Sequence, residues 1–343
     1  MQPPNSIPLP LILLSGFLGS GKTTLLNRLL GNPSMGDTAV LINEVGEIGL
    51  DHLLVASVAD DIILLESGCI CCTLNEDLGA ALESLHARRR AGDVPAFTRV
   101  IVETTGIADP CPVLQRILAD ESLSARYRIH GVVTVVDAVF GEVTLNRHLE
   151  CASQAAVADR LVVSKLDLAS RSQVDSLITC LRSINPTAAI LMPRDKAPTP
   201  DELFGDTLLS ARPDFRPLTH SKALGPQEHT GLVQHGRYTT FSFNWNEPLD
   251  WEDFKAWVEG LLLARGESVL RMKGLLNVAG RSNPVVVQAV QHALYPPVQL
   301  GEWPHGTPKS ELVFVTRDFP REAALRSFRQ FFAAHCGPEQ NFS

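Results

Sequence analysis

One octapeptide constrains the fold of this 343-residue chain more than any other feature. Residues 16–23 read Gly-Phe-Leu-Gly-Ser-Gly-Lys-Thr and match the phosphate-loop pattern G-x-x-x-x-G-K-[ST]. In such a loop, glycines let backbone N–H groups surround phosphate oxygens at the positive end of a helix. An apolar run, Leu11–Ser15, precedes the loop, and leucines at helical spacing follow it. The sequence therefore predicts a strand, a phosphate loop and a helix, in that order.

The residue types in this loop each have an expected role in holding phosphate. Lys22 should reach the β- and γ-phosphates, and the Thr23 hydroxyl should bind Mg²⁺. The residues expected to contact the nucleotide here are Gly16, Gly19, Ser20, Gly21, Lys22, Thr23 and Thr24.

A phosphate loop also needs an acidic residue at the end of a neighbouring strand, where it holds the metal's water shell. The run Arg99–Glu103 ends in such a residue, Glu103. Gly106, three residues later, would let a backbone N–H approach the γ-phosphate. Asp109 lies on the same loop, where it either joins the site or caps a helix that begins at Pro110.

The tetrapeptide Ser164-Lys165-Leu166-Asp167 follows another apolar run and indicates a guanine site. The Asp167 carboxylate can accept hydrogen bonds from both N1–H and the 2-amino group of guanine, whereas adenine lacks this pair of donors. The aliphatic stem of Lys165 can cover one face of the base. Ser164 stands where the motif normally carries Asn, so the expected site lacks one amide.

Short apolar runs alternate with helical patterns through the first half of the chain. This alternation predicts an α/β fold with a doubly wound, mainly parallel sheet, in a phosphate-loop GTPase domain over residues 1–192. The expected strands are Leu11–Ser15, Ala39–Ile42, Ile62–Glu66, Arg99–Glu103, Val132–Val136, Leu161–Ser164 and Ala188–Met192. The expected helical faces run along Leu74, Leu78, Leu82 and Leu85, and along Val174, Leu177, Ile178 and Leu181.

The rest of the chain has a different character. Six prolines interrupt residues 193–236, which predicts a Pro-rich linker with one short helix near Asp201–Leu208. Residues 237–343 predict a smaller C-terminal α+β domain. Its strands are expected at Tyr238–Trp245, Val269–Asn277 and Glu311–Thr316, and its helices at Trp251–Leu263 and Glu322–His335.

Three cysteines fall within four residues, at Cys69, Cys71 and Cys72, soon after the third predicted strand. Thiolates favour soft or borderline ions such as Zn²⁺, Cu(I) or Co²⁺. Three sulfurs do not close a tetrahedral site, so a fourth ligand or a water is implied. Packed cysteines and a redox pair are the alternatives that the pattern leaves open.

Composition narrows the class of protein. An apolar content of 45% and a charged content of 20% indicate an ordinary folded protein and exclude a disordered chain or a coiled coil. The net charge of −8 gives no electrostatic reason to bind nucleic acid or an anionic membrane. No apolar run approaches the roughly 20 residues of a membrane span, and the scattered cysteines fit reduced thiols. A cytoplasmic location is therefore expected.

Five motifs in order resemble those of the CobW-type metallochaperone GTPases, relatives of the urease and hydrogenase nickel-insertion GTPases. They are the phosphate loop, Asn43–Gly49, Gly68–Cys72, Glu103–Pro110 and Ser164–Asp167. The segment from Arg271 to Trp303, followed by Glu311–Val315, is similar to the family's C-terminal domain.

The resemblance implies GTP hydrolysis with Mg²⁺, and binding of Zn²⁺ or Co²⁺ through Cys69, Cys71 and Cys72. It places Glu44 among the catalytic residues and Glu47 among the metal ligands, both in a first switch stretch. The expected partners are GTP, GDP and a metalloenzyme client protein, with a second copy of the chain as a further candidate and neither nucleic acid nor membrane among them.

Three functions remain compatible with these residues. The favoured one is a metal-transferring GTPase whose nucleotide state switches its metal affinity. The second is a phosphate-loop kinase or ATPase, against which Asp167 argues. The third is a nucleotide-dependent interaction module with structural cysteines. Neither residues 43–49 nor residues 104–109 contain Gln or Arg, which predicts slow intrinsic hydrolysis.

Overall fold

A computed structural model describes residues 8–42, 63–66, 74–193, 198–205, 238–304 and 307–336. The chain divides into two compact units, one of residues 1–182 with 187–210 and one of residues 183–186 with 211–343. The first unit therefore extends beyond residue 192, where the sequence places the start of the linker.

The described residues of the first unit form a seven-stranded sheet, in the order β3-β2-β4-β1-β5-β6-β7, and all neighbouring strands are parallel. The strands are β1 (Leu9–Gly16), β2 (Thr38–Ile42), β3 (Ile63–Glu66), β4 (Arg99–Glu103), β5 (Tyr127–Asp137), β6 (Arg160–Ser164) and β7 (Ala189–Leu191). The doubly wound sheet is confirmed. Each predicted strand is present, because runs of Val, Ile and Leu suit strands that are buried on both faces.

Helices cover both faces of this sheet. They are α1 (Lys22–Leu30), α2 (Leu74–Ala91), α3 (Pro110–Ala119), α4 (Glu121–Arg126), α5 (Gly141–Arg147), α6 (Leu149–Val157), α7 (Arg171–Ile184) and α8 (Pro200–Phe204), with a 3₁₀ turn at Pro33–Met35. Leu25, Leu26 and Leu29 of α1 pack into one apolar cluster with Ile12 and Leu14 of β1. The packing holds the start of α1 directly after the loop that follows β1.

The short helix expected after residue 200 is shorter than Asp201–Leu208, because α8 already ends at Phe204. Thr199 caps α8 by accepting a hydrogen bond from the Glu202 N–H, and Glu202 bonds back to the Thr199 N–H. Arg160 donates to the carbonyls of Leu203 and Gly205 and so fastens the end of α8 to β6.

The described residues of the second unit form a six-stranded sheet with antiparallel neighbours, in the order β11-β10-β9-β13-β8, with β12 paired to β10. Its strands are β8 (Tyr238–Trp245), β9 (Val269–Leu276), β10 (Val285–Val290), β11 (Ala293–Leu294), β12 (Val298–Gln299) and β13 (Ser310–Arg317), and its helices are α9 (Trp251–Arg265) and α10 (Arg321–Cys336). The smaller α+β fold is confirmed. Residues 285–299 add three strands beyond the predicted ones.

The core of the second unit is aromatic. Phe314 of β13 lies 5.2 Å from Phe241, measured between ring centroids, and Trp257 of α9 meets Phe328 of α10 edge-on at 4.8 Å. Both helices therefore pack on one face of the sheet through large apolar side chains.

Candidate nucleotide site

The loop between β1 and α1 has the backbone of a phosphate cradle. Gly16, Gly19 and Gly21 have φ angles of 141°, 68° and 96°, a region that favours glycine. A Cβ on Gly16 would lie 2.4 Å from the Val135 carbonyl oxygen, so this position also needs glycine for space. Gly21 occupies the N-cap of α1 and has no side chain to accept from the first amides of the helix. Those amides are therefore suited to an anionic ligand.

Lys22 is buried, and its ammonium group lies against this loop. Its Nζ donates to the carbonyl oxygens of Gly16 at 2.9 Å and Phe17 at 3.2 Å. The loop thus holds a positive charge beside its own glycine amides, as the sequence predicts for phosphate binding.

The two side chains expected to hold Mg²⁺ lie in contact. Thr23 Oγ1 donates to Glu103 Oε1 at 2.8 Å, and Glu103 is only 1% exposed at the end of β4. β4 pairs directly with β1, so the sheet itself sets this approach. A hydroxyl and a carboxylate oxygen are hard ligands of the kind that Mg²⁺ prefers.

The loop after β4 packs closely on the phosphate loop. A Cβ on Gly106 would lie 2.5 Å from the Leu18 backbone nitrogen, so only glycine fits there. The hydroxyls of Thr105 and Ser20 are buried and have no hydrogen-bond partner within the described residues. Two unpaired hydroxyls, one from each loop, fit a ligand rich in acceptor oxygens. Asp109 accepts from the Cys111 N–H and caps α3, the second of its two expected roles.

The predicted base-binding turn meets the phosphate loop through Ser164. Ser164 Oγ donates to the Ser20 carbonyl oxygen at 2.6 Å. Lys165 has a φ of 54° and forms a 2.6 Å ion pair with Asp137 at the end of β5. Asp167 is exposed, so its carboxylate is accessible to a base.

Two residues of this region are not among those predicted from the sequence. Asp137 accepts from the Val139 and Phe140 amides as well as from Lys165, and its position at a strand end was the available signal. Gln154 of α6 lines a pocket of about 310 Å³ together with Phe17 and Cys151. No sequence pattern marks Gln154, because its role depends on contacts between distant elements.

Several expected site residues lie outside the described residues. They are Glu44 and Glu47 of the first switch stretch and Cys69, Cys71 and Cys72 of the cysteine motif. Among the residues that the structure describes, no cluster of three or more His, Cys, Asp or Glu side chains could hold a metal ion.

The described cysteines away from the motif have the properties of core residues. Cys111, Cys151 and Cys180 are buried, and burial raises the pKa of Cys151 and of Cys180 to about 12. Both thiols are therefore protonated at neutral pH and are poor metal ligands.

Within the described ranges, none of the helices combines the length and the apolar character needed to cross a membrane.

Two family models match the chain. Residues 10–192 match the CobW/HypB/UreG nucleotide-binding domain, and residues 238–332 match the cobalamin synthesis protein cobW C-terminal domain. Among curated proteins, the chain is 32% identical over 324 residues to the zinc chaperone YjiA of Escherichia coli K12, covering 94% of this chain and 98% of that protein. It is 26% identical over 329 residues to the zinc chaperone CobW of a Sinorhizobium species, covering 83% and 86%.

Two solved structures are also similar along nearly their whole length. The Zn(II)-bound YjiA GTPase from E. coli superposes with a TM-score of 0.68 at 26% identity, covering 95% of this chain and 99% of that one. A Zn(II)-bound triple mutant of YjiA, with one glutamate and two cysteines replaced by alanine, gives a TM-score of 0.69 at the same identity and coverage.

Proposed function

Because the chain belongs to the CobW family, with that family's nucleotide-binding and C-terminal domains, we propose that it is a Mg²⁺-dependent GTPase that binds zinc and delivers it to a client protein. The observation that carries the nucleotide part is the Thr23–Glu103 hydrogen bond between the phosphate loop and the neighbouring strand end. It supports the proposal because a hydroxyl of the phosphate loop and a carboxylate from a neighbouring strand are the groups with which such loops hold magnesium.

Residues of the phosphate loop and of the loop after β4 have different roles in phosphate binding. The α1 amides and Lys22 bind the phosphates, and Lys22 exchanges the Gly16 and Phe17 carbonyls for phosphate oxygens. Thr23 and Glu103 would hold Mg²⁺, which when bound would supply positive charge to offset the charge on the transferred phosphoryl group. Gly106 brings its N–H towards the γ-phosphate, because its lack of a side chain permits contact with Leu18.

Guanine selection is assigned to Asp167, with Lys165 over the base. Ser164 uses its hydroxyl to tie this turn to the phosphate loop through the Ser20 carbonyl. The proposal therefore gives Ser164 a positioning role and leaves the direct base contacts to Asp167.

The metal site is assigned to Cys69, Cys71 and Cys72, with Glu47 as a further ligand. Thiolates accept either Zn²⁺ or Co²⁺, and relatives named as zinc chaperones favour zinc. The triple mutant of the E. coli relative is still Zn(II)-bound although it lacks two cysteines and a glutamate. A test on this chain must therefore count zinc ions instead of asking whether zinc is present.

The positions of the ends of β2, β3 and β4 support a coupling between nucleotide binding and metal binding. Ile42 at the end of β2 pairs with both Glu66 at the end of β3 and Glu103 at the end of β4. The first switch stretch follows Ile42, and the cysteine motif follows Glu66. The first switch stretch thus leaves the sheet one strand away from the carboxylate proposed for Mg²⁺, and the cysteine motif leaves it two strands away, at the same edge. We infer that the γ-phosphate changes the metal affinity of the cysteines, which requires metal to change GTP affinity by the same factor.

The experiment combines nucleotide competition with zinc counting on the full chain. GTP should displace labelled GDP far better than ATP does, because adenine leaves Asp167 unsatisfied. Elemental analysis of protein loaded with a non-hydrolysable GTP analogue should give one zinc fewer in Cys71→Ser than in the unsubstituted protein. Cys180→Ala, which alters a buried cysteine outside the motif, serves as the control and should keep the full zinc content.

Other outcomes identify the competing functions. Equal displacement by ATP would indicate a kinase or ATPase. Unchanged zinc content in a folded Cys71→Ser variant that still binds its client would indicate an interaction module with structural cysteines.

A further inference from the structure

Helix α6 carries a buried amide side chain that points at the loop after β4. Gln154 is 1% exposed, and its Nε2 donates to two backbone carbonyl oxygens, Gly106 at 3.2 Å and Ala108 at 2.9 Å. Both partners are acceptors, so the amide nitrogen must face them. One side chain therefore holds the carbonyls on either side of Ile107, whose own side chain is 56% exposed.

The helix that presents Gln154 is itself anchored to the sheet and to both loops. Thr134 of β5 donates to the Gln154 backbone carbonyl at 2.9 Å. Ser153 donates to the Asp109 carboxylate at 3.3 Å, just beyond the held segment. At the N-terminal end of α6, the ring of His148 lies 4.7 Å from that of Phe17 in the phosphate loop. These contacts therefore hold α6, and with it the Gln154 amide, in a fixed position.

The held segment is one that would otherwise have much conformational freedom. Gly106 lacks a side chain and touches the Leu18 backbone, and a glycine free to rotate loses more entropy on ordering than other residues. Two hydrogen bonds to the Gly106 and Ala108 carbonyls restrict the peptide groups around it. Restriction before binding lowers the cost of ordering the loop around a ligand.

We propose that Gln154 is a positioning residue for γ-phosphate recognition, which holds Gly106 against the phosphate loop so that its N–H meets the third phosphate. This inference rests on the proposed GTPase function and adds a residue on a helix remote in sequence from both loops. Gln154 touches neither nucleotide nor metal in this scheme. Its effect passes through the Gly106–Ala108 backbone.

The test compares the affinities of a fluorescent GDP and a fluorescent, non-hydrolysable GTP analogue. Gln154→Met keeps the length and removes both donors, and Gln154→Glu keeps the shape and sets a carboxylate against two carbonyls. GTP-analogue affinity should fall about tenfold in Gln154→Met and further in Gln154→Glu, because two hydrogen bonds are lost. GDP affinity should stay within about twofold, since GDP has no γ-phosphate to meet Gly106.

Amide hydrogen exchange gives a second readout that does not depend on turnover. Exchange at residues 104–109 should accelerate in Gln154→Met, because both hydrogen bonds that restrict this segment are lost. Gln299→Met, at an exposed position in β12 of the second unit, is the matched control and should alter neither readout.

The outcomes distinguish failure of this inference from failure of the proposed GTPase function. If the unsubstituted protein binds neither nucleotide, the proposed function fails. If it binds both and Gln154→Met weakens GDP and the GTP analogue equally, or neither, the function stands and the positioning role is wrong.

Discussion

Thr23 Oγ1 lies 2.8 Å from Glu103 Oε1, although 80 residues separate the two in sequence. The contact is possible because β1 and β4 are neighbours in the parallel sheet and both end at the same edge. The last side chain of the phosphate loop and the carboxylate at the end of the neighbouring strand therefore meet where ligands bind in doubly wound folds. This pair is the centre of the proposed hydrolytic site.

Removing the charge of this pair should abolish most hydrolysis while leaving the fold intact. Glu103→Gln keeps the size of the side chain but cannot supply a carboxylate to Mg²⁺, so GTP turnover should fall by about a hundredfold. The measurement is phosphate release at saturating Mg²⁺. Glu259→Gln, on an exposed face of α9, should leave turnover unchanged. Full activity in Glu103→Gln would show that this carboxylate does not take part in hydrolysis.

A side chain at Gly106 should separate the two loops. The Cβ in Gly106→Ala would lie 2.5 Å from the Leu18 nitrogen, a distance at which the backbone must shift. The GTP-analogue affinity should fall by about tenfold or more, corresponding to a strain of roughly 1–3 kcal/mol. Gly301→Ala, where a Cβ meets nothing within 4 Å, is the control and should bind GTP normally. Normal binding by Gly106→Ala would show that the loops need not touch.

The hydroxyl of Ser164 should matter for GTP and GDP alike. Ser164→Ala loses the hydrogen bond to the Ser20 carbonyl, so both affinities should fall by about fivefold, the effect of one hydrogen bond. Equilibrium binding of the two labelled nucleotides measures this, with the partly exposed Ser124→Ala as control. A loss confined to GTP would place Ser164 near the γ-phosphate instead of near the base.

Much of this arrangement was accessible from sequence, and the parts that were not have a common cause. Strands such as β2 and β6 contain continuous runs of buried apolar residues, and the phosphate loop has a pattern set by its own backbone. The strand β10 was missed because its alternation of buried and half-buried residues is short and begins directly after Pro284. Gln154 acquires its role from partners on other elements, which no local pattern encodes, whereas Asp137 is marked in the sequence only by its place at a strand end.

The stability of the second unit should depend on pH through Glu311. Burial raises the pKa of this β13 carboxyl to about 7, against an opposing influence of Lys309. Because the pKa of Glu311 is higher in the folded protein than its unfolded value of 4.5, the unfolded chain loses this proton at a lower pH than the folded protein does. The stability that the protonated carboxyl contributes is therefore present below about pH 4.5 and is lost as the pH rises through 7.

Thermal unfolding of the unsubstituted protein and of Glu311→Gln across pH 5 to 8 measures this effect. Glu311→Gln mimics the protonated carboxyl, so its advantage over the unsubstituted protein should grow as the pH rises. Glu267→Gln, at an exposed position, should show no such trend. A constant difference between Glu311→Gln and the unsubstituted protein would mean that Glu311 does not titrate in this range.

The central claim is that one nucleotide-dependent element controls both the triphosphate and the thiolate-bound metal. It is tested most directly by titrating zinc into the full chain loaded either with GDP or with a non-hydrolysable GTP analogue. We expect the zinc affinity to differ between the two states by about fivefold or more, the lower end of typical allosteric coupling. Cys71→Ser should abolish this difference. Equal zinc affinities in the two states of the unsubstituted protein would contradict it.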